Sequence, residues 1–312
     1  MARPRSQGPQ RAHLLVAPPR QIRRGLIPMS PLTEPRTKAR SERARLAIVA
    51  LYAFTAIGLA GYAVVVAAPR LGAWLPDLPL LLDYGPIIFA RGQILVSICV
   101  LALLLGEWRG WFGGCIAVVV LGFGAEFVGV HTGLPFGRYH FTDLLGPKIL
   151  ATVPVVMPLA WWNIAFPAYA IATRAFPRAA LQRYLLGSWM MLAWDLSIDP
   201  CLGHLYPFWV WQTPGVYYGI PVSNFIGWYA VGVLAMAILD RTTPPPVASR
   251  LLIAYYGANL AMPMGFAALS GMWLAAVFTA AAAILGLVLA ERAESSGQFP
   301  AVSRSLGGAA SA

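Results

Sequence analysis

The sequence predicts an all-α fold, a polytopic bundle of membrane-spanning helices. Of the 312 residues, 58% are hydrophobic and 11% are charged, whereas a soluble domain carries about 25% charged residues. The apolar residues also form stretches of roughly 20 residues, the length that a helix needs to cross the hydrocarbon layer. Together these two observations exclude a soluble globular protein as the class.

Eight apolar stretches are candidate transmembrane helices. The fifth and sixth are short, and the turn at 270–271 is tight, so two alternatives remain open: seven spans, or a re-entrant piece around 200–222. The eight stretches lie at 46–68, 87–105, 112–130, 149–172, 184–199, 223–239, 251–268 and 272–290.

The distribution of Lys and Arg predicts the domain organisation and the orientation. Residues 1–45 hold 11 of the 23 Lys and Arg residues and only two acids. We expect them to form a basic, disordered cytoplasmic tail near anionic lipid headgroups. The loops 173–183 and 240–250 also carry Arg, so the positive-inside rule places them on the same side. The catalytic domain is then 46–290, and 291–312 is a second disordered cytoplasmic tail, most simply in a bacterial cytoplasmic membrane.

Outside the first tail the charges nearly balance, since 12 basic residues face 10 acidic ones. A protein that binds nucleic acid concentrates its basic residues on the folded domain. The sequence therefore excludes a nucleic-acid partner and favours membrane lipid.

Four acidic residues fall in or beside the apolar stretches, namely Glu107, Glu126, Asp195 and Asp199. An acid within a membrane segment is costly and by default indicates function. Asp195 and Asp199 are four residues apart, so a helix places them on one face. Two such carboxyls cannot both ionise cheaply in a low dielectric, which leaves a proton donor beside a base. The alternative for Asp199 is a hydrated position at the interface, because Pro200 follows it.

Glu126 lies in a glycine-rich stretch and has two interpretations. It is a third buried acid of the site, or it forms an ion pair with Arg91 or Arg138. His131, His140 and His204 fall on the same side of the membrane, but their spacing matches no standard metal-ligand motif. Neither a phosphate loop nor a dinucleotide fingerprint is present, so we expect no metal and no cofactor.

Aromatic residues are concentrated in the same region of the chain. Trp161 and Trp162 lie mid-span beside Asn163, and Trp194 and Trp228 lie on later spans. One interpretation is the aromatic belt at the membrane interface. The other is a cage whose ring faces stabilise a carbocation.

Four segments in this order resemble the membrane carotenoid hydratases, of the γ-carotene 1′-hydratase and bisanhydrobacterioruberin hydratase type. They are EFVGVHTGLPFGRY at 126–139, WWN at 161–163, WDLSIDP at 194–200 and PVSNFIGW at 221–228. The resemblance covers roughly 46–290 and leaves out the basic tail. It implies a hydro-lyase that needs no cofactor and works alongside other carotenoid-pathway enzymes. Its reaction would add water to the terminal C1–C2 double bond of an acyclic ψ-end group, giving a tertiary 1-hydroxy carotenoid.

The resemblance and the acids together give a hypothesis for each residue. Asp195, as the deeper acid, donates the proton, and Asp199 or Glu126 orients and deprotonates water. Asp195→Asn is then expected to insert normally but to be inactive. The residues expected to contact the substrate, the water or the acids are Trp161, Trp162, Trp194, Trp228, Asn224, His131 and Tyr139.

Three other functions remain open at this level. Asp195-x-x-x-Asp199 resembles half of the magnesium–diphosphate site of a membrane prenyltransferase. A lycopene cyclase also protonates a ψ-end group but closes a ring instead of capturing water. A transporter or a carotenoid-binding scaffold would carry buried acids without catalysis.

Overall fold

Helices dominate a computed structural model of the chain, which describes residues 33–71, 79–106, 110–244 and 250–295. Residues 40–312 form one compact unit and 1–39 another, and the account below concerns the former. Glu107 and most of both predicted tails lie outside the described residues. The first helix nevertheless begins at Thr33, within the segment that was expected to be a tail.

The described residues contain eight α-helices, and each overlaps one predicted span. The polytopic all-α bundle is therefore confirmed. The helices are α1 Thr33–Leu71, α2 Pro79–Leu105, α3 Phe112–Thr132, α4 Val156–Ala175, α5 Ala180–Asp199, α6 Val222–Thr242, α7 Arg250–Leu269 and α8 Trp273–Ser295.

Six of these helices are long and apolar enough to cross a membrane by themselves, namely α1, α2, α3, α6, α7 and α8. The other two, α4 and α5, are the central helices of the bundle. Of the 20 residues of α4, 16 are buried, and α5 packs against α4, α6, α7 and α8. Protein surrounds α4 and the second half of α5, so these segments can carry the polar side chains of a site.

One face of α3 is built for close packing. Its buried residues are Gly114, Val118, Gly122, Glu126 and Gly129. Their spacing of three or four residues places them on a single stripe of the helix. Because glycine has no side chain, neighbouring rings can lie directly against the backbone on either side of Glu126.

A short pair of antiparallel strands covers the end of the bundle where α3 and α5 finish and α4 and α6 begin. Strand β1, Tyr139–Phe141, pairs with β4, Trp209–Trp211, so that Tyr139 lies opposite Trp211 and Phe141 opposite Trp209. We call this pair the lid. A second pair joins β2, Lys148–Ile149, to β3, Val153–Pro154, and it delays the start of α4 beyond the predicted residue 149.

The segment expected as a possible re-entrant piece forms no such helix in the described residues. A π-helical turn, Pro200–Leu205, continues directly from α5, and the chain then enters β4. The eight helices of the described residues match the eight predicted stretches rather than the alternative of seven.

A polar cluster fastens the opposite end of the bundle. Arg183 of α5 forms a 2.6 Å salt bridge with Asp240 of α6, and it also donates to the Phe176 carbonyl at 2.8 Å. The hydroxyls of Tyr169 and Tyr184 donate to the same Asp240 carboxylate at 3.0 and 2.8 Å. These bonds tie together α4, α5 and α6, the helices that also carry the site.

Candidate active site

A narrow cavity lies beneath the lid, between the ends of α3 to α6. Its free space is about 50 Å³, enough for a few water molecules. Its wall is almost entirely apolar and aromatic, with three polar exceptions from α3, α5 and α6. These exceptions are Glu126, Asp199 and Asn224.

Glu126 is held by two donors whose rings rest on glycines. The indole Nε1 of Trp161 donates to Oε1 at 2.9 Å, and the hydroxyl of Tyr139 donates to Oε2. A Cβ at Gly122 would lie 2.6 Å from the Trp161 ring, and one at Gly129 would lie 2.9 Å from the Tyr139 hydroxyl. The glycine stripe therefore fixes the two donors that orient this carboxyl group.

The ion-pair interpretation of Glu126 is wrong. The side chain is 4% exposed, and the salt bridges among the described residues do not include it. Arg91 donates instead to the Leu144 carbonyl at 2.5 Å. Arg138 is exposed to the surroundings.

Asp195 and Asp199 are joined by the amide of Asn224. Its Nδ2 donates to Oδ2 of Asp195 at 3.0 Å and to Oδ2 of Asp199. An asparagine amide has two hydrogens, so this contact uses both. Asp195 and Asp199 are 0% and 4% exposed, so the hydrated interface position proposed as an alternative for Asp199 is wrong. The two carboxyls face one neutral donor.

Only one of the two aspartates reaches the cavity. Asp199 belongs to its wall, whereas Asp195 does not, and Oδ1 of Asp195 is buried without a hydrogen-bond partner. This placement differs from the sequence-based assignment of Asp195 as the direct proton donor. Depth along the helix was the reason for that assignment, but a donor must also touch the reacting atom.

Stacked indoles form one side of the cavity. The rings of Trp161 and Trp228 are parallel to within 7°, with centroids 4.2 Å apart. Trp194 lies 5.9 Å from Trp228 at 60°, and its Nε1 donates to the Asn259 carbonyl at 3.2 Å. Phe136 lies within 6.4 Å of the first two rings. The arrangement is a buried wall of aromatic faces, which favours the cage over the interfacial belt for these residues.

Two of the residues expected at the site lie elsewhere. Trp162 does not line the cavity, because it stacks on Trp111 with centroids 5.9 Å apart and packs on Phe166 at 5.0 Å. His131 is exposed, and its Nδ1 pairs with the carbonyl of Phe127 at 2.8 Å. The other two described histidines named as metal candidates, His140 and His204, are also exposed. The described residues contain no cluster of three acidic, His or Cys side chains suited to a metal ion.

The lid supplies one residue that the sequence predicted at the site, Tyr139, and three that it did not, Phe141, Trp209 and Trp211. Tyr139, Phe141, Trp209 and Trp211 all line the cavity, because every second residue of a strand points to the same side. The aromatic alternation in YHF and WVW was the signal that could have revealed this. Burial, followed by the nearby Glu126 carboxyl, raises the pKa of the Tyr139 hydroxyl far above its usual value, so it remains a donor.

Two donors in the lid have no acceptor. The Nε1 atoms of Trp209 and Trp211 are buried without hydrogen-bond partners among the described residues. Both lie close to Gly203, at 2.9 and 3.6 Å from an ideal Cβ there. Since buried polar groups are normally satisfied, this corner of the cavity suits water or another oxygen acceptor.

Comparison with known proteins identifies the family of this sequence. The sequence profile of the family described as "Carotenoid biosynthesis protein" matches residues 85–289. The chain belongs to this family. The matched residues run from α2 to α8 and include both aspartates, Glu126, Asn224 and the whole lid.

Among individual proteins, a bisanhydrobacterioruberin hydratase from Haloarcula japonica is 30% identical over 131 residues. The matched segment covers 40% of this chain and 43% of that protein. No solved structure matches the chain. The family and its place in carotenoid biosynthesis thus rest on sequence, and the arrangement of the site rests on the geometry above.

Proposed function

We propose that this protein is a carotenoid hydratase, a hydro-lyase acting on the terminal C1–C2 double bond of an acyclic ψ-end group. The observation that carries the proposal is the cavity itself. A hydrocarbon and aromatic wall that displays only two acids and one amide suits an apolar alkene and an acid catalyst. The family and the name of the Haloarcula relative support the same chemistry.

The reaction needs a proton, a shielded cation and a water molecule. Protonation of C2 breaks the double bond and leaves a tertiary cation at C1. The oxygen of water then bonds to C1, and loss of one proton from that oxygen gives the tertiary alcohol. Proton gain and loss balance, so the reaction itself calls for no cofactor.

Asp199 is the proposed proton donor. It is the aspartate at the cavity wall, and it is paired through Asn224 with a second buried carboxyl. Two adjacent carboxylates would repel strongly, and no salt bridge within the described part of the chain involves either, so the pair is suited to retaining one proton. Asp195 then acts as a positioning residue: its carboxyl group orients the shared Asn224 amide, and its proximity disfavours loss of the proton from Asp199.

Glu126 is the proposed base. Both of its oxygens accept hydrogen bonds, from an indole and from a phenol, and this pattern stabilises a carboxylate. It shares the cavity with Asp199, so water between the two could be deprotonated as it attacks. A negative carboxylate near C1 would also stabilise the developing cation.

The indoles of Trp161, Trp228 and Trp194 are the proposed cation shield. The face of an indole attracts a cation by about 2 kcal/mol or more when water is excluded. Water would arrive under the lid, where the unpaired N–H groups of Trp209 and Trp211 offer it a first contact. The aromatic wall would keep bulk water away from the cation, and the corner near Trp209 and Trp211 would admit the water molecule that reacts.

The orientation follows from the charge distribution and is part of the proposal. Arg174, Arg178 and Arg241 lie at the end of the bundle opposite the cavity. The positive-inside rule then places both termini in the cytoplasm and the lid on the other face of the membrane. A bacterial cytoplasmic membrane is the simplest setting for this arrangement.

The test is expression in a host that makes acyclic carotenoids, followed by extraction and mass spectrometry. We expect a more polar product heavier by one water, and growth in ¹⁸O-water should label its hydroxyl. A product of unchanged mass with a ring would indicate a cyclase. A prenylated product lost on chelation would indicate a prenyltransferase, and unchanged pigment bound to the protein would indicate a scaffold.

A further inference from the structure

A second, larger space lies between α1 and α2. Its volume is about 480 Å³, within the range of small-molecule sites. We call it the α1–α2 groove. Rings and glycines dominate its lining, including Phe54, Gly58, Gly61, Tyr62, Phe89 and Gly92.

Glycine leaves the groove open, and aromatic rings shape it. An ideal Cβ at Gly61 would meet no atom within 4 Å, so nothing fills the space at that point. Gly58 lies against the ring of Phe89, which would clash with any Cβ there. The rings of Phe54 and Phe89 are 5.6 Å apart. A slot walled by rings suits a flat, conjugated hydrocarbon.

Aromatic contacts connect the groove to the catalytic cavity. Tyr62 and Phe89 both line the groove and both contact Phe266 of α7, with centroids at 4.2 and 5.6 Å. One helical turn before Phe266, Met262 lines the cavity. Tyr62 also contacts Tyr206 at 6.0 Å, just after the π-helical turn that contributes Leu202 to the cavity wall. The linings of the two spaces are thus connected through α7 and through the residue that follows the π-helical turn.

We propose that the α1–α2 groove binds the polyene chain of the substrate while its end group enters the cavity. This inference rests on the proposed function. The cavity, at about 50 Å³, has no room for the rest of a carotenoid, which must lie elsewhere. Lipid tails are as apolar as the groove, so the hydrophobic effect alone would not select the polyene there. Selection would come from shape, through many close contacts between the flat chain and the rings.

The test fills the groove without touching the catalytic residues. Gly61→Phe places a ring in the open space, and Gly61→Leu does so with a smaller side chain. Gly124→Phe on α3 is the matched control, since a Cβ there also meets nothing within 4 Å and Gly124 lines neither space. Each variant is purified in detergent from a host making acyclic carotenoids, and both the bound pigment and the hydrated product are quantified. Thermal unfolding of each variant confirms that it is folded.

We expect Gly61→Phe to lose at least tenfold in bound pigment and in conversion, Gly61→Leu to lose less, and Gly124→Phe to match the wild type. A short isoprenoid alkene with the same terminal group should still be hydrated by Gly61→Phe, because it does not need the groove. Equal pigment in the wild type and both Gly61 variants would overturn the inference and indicate that a lipid fills the groove. If the wild type hydrates nothing, the proposed function fails, yet a loss of pigment confined to the Gly61 variants would still support the groove as a polyene site.

Discussion

Replacing Asp199 by Asn tests whether this residue donates a proton in the reaction or is only a buried polar residue of the fold. The substitution keeps the size of the side chain and an oxygen that can accept from Asn224, but it removes the acidic proton. Because Asp199 is 4% exposed and no cation among the described residues is paired with it, we expect the neutral amide to be accommodated in the fold. The change should therefore affect catalysis rather than insertion.

The expected magnitude follows from the role. A positioned acid or base contributes about 10²- to 10⁴-fold to a rate, and each factor of ten corresponds to about 1.4 kcal/mol of activation free energy. Asp199→Asn should thus raise the barrier by roughly 3–5 kcal/mol. Asp195→Asn makes the same chemical change one helical turn earlier, at a carboxyl that does not line the cavity. We expect it to cost only about tenfold, roughly 1.4 kcal/mol, through the shared amide.

The assay is the initial rate of hydrated product in isolated membranes, normalised to the amount of tagged protein. Thermal unfolding of both variants in detergent provides the control for folding. The reasoning would be refuted if Asp199→Asn kept more than a tenth of the wild-type rate. If Asp195→Asn were the inactive variant instead, the proton donor would be the residue first assigned from the sequence.

Three further substitutions test the supports of the site. Gly122→Ala should displace the Trp161 ring, which would lie 2.6 Å from the new methyl group, and should lower the rate at least tenfold. Gly124→Ala is the control, because its methyl group would meet no atom within 4 Å, and its rate should not change. Equal rates for the two variants would contradict the packing argument. Asn224→Ala should leave two buried carboxyls without their shared donor and lower both the rate and the unfolding temperature. Asn224→Gln keeps the amide but moves it by one methylene. If this variant recovers neither quantity, the position of the amide matters as well as its ability to donate. Asp240→Ala removes the acceptor of a mostly buried salt bridge and should destabilise the fold by about 3 kcal/mol, which thermal unfolding would measure. The rate per folded molecule should not change. A selective loss of rate would show that this end of the bundle is coupled to the site.

The helices could be predicted from the sequence because a membrane imposes one length and one composition on every span. That constraint is local, so the eight stretches could be counted without knowing how they pack. The starts of α2 and α4 were predicted less well. α2 begins at Pro79 rather than 87, and α4 is delayed to Val156 by a strand pair that hydropathy does not detect.

The acids of the site could be found because a carboxyl in an apolar segment is conspicuous. Which of the two aspartates lines the cavity could not be predicted, since it depends on how α5 packs against its neighbours. Trp161 and Trp162 show the same limit. They are adjacent in the sequence, but successive residues point about 100° apart on a helix, so one lines the cavity and the other packs on Trp111.

The lid was missed for a different reason. Its strands are three residues long and come from loops about 70 residues apart, so neither segment carries a strong signal alone. Only the pairing places Tyr139 beside Trp211 and Phe141 beside Trp209. The four rings were visible in the sequence as aromatic residues, and their shared surface arises from tertiary structure.

The strict alternation of the lid determines which of its positions can be altered without changing the cavity. Along each strand the rings that face inward are separated by a residue that faces outward, His140 in one and Val210 in the other, and both outward side chains are exposed. An engineer could therefore vary those two positions freely to attach a label or to change solubility. Insertion or deletion of one residue within either strand would instead exchange the two faces and remove the aromatic rings from this side of the cavity.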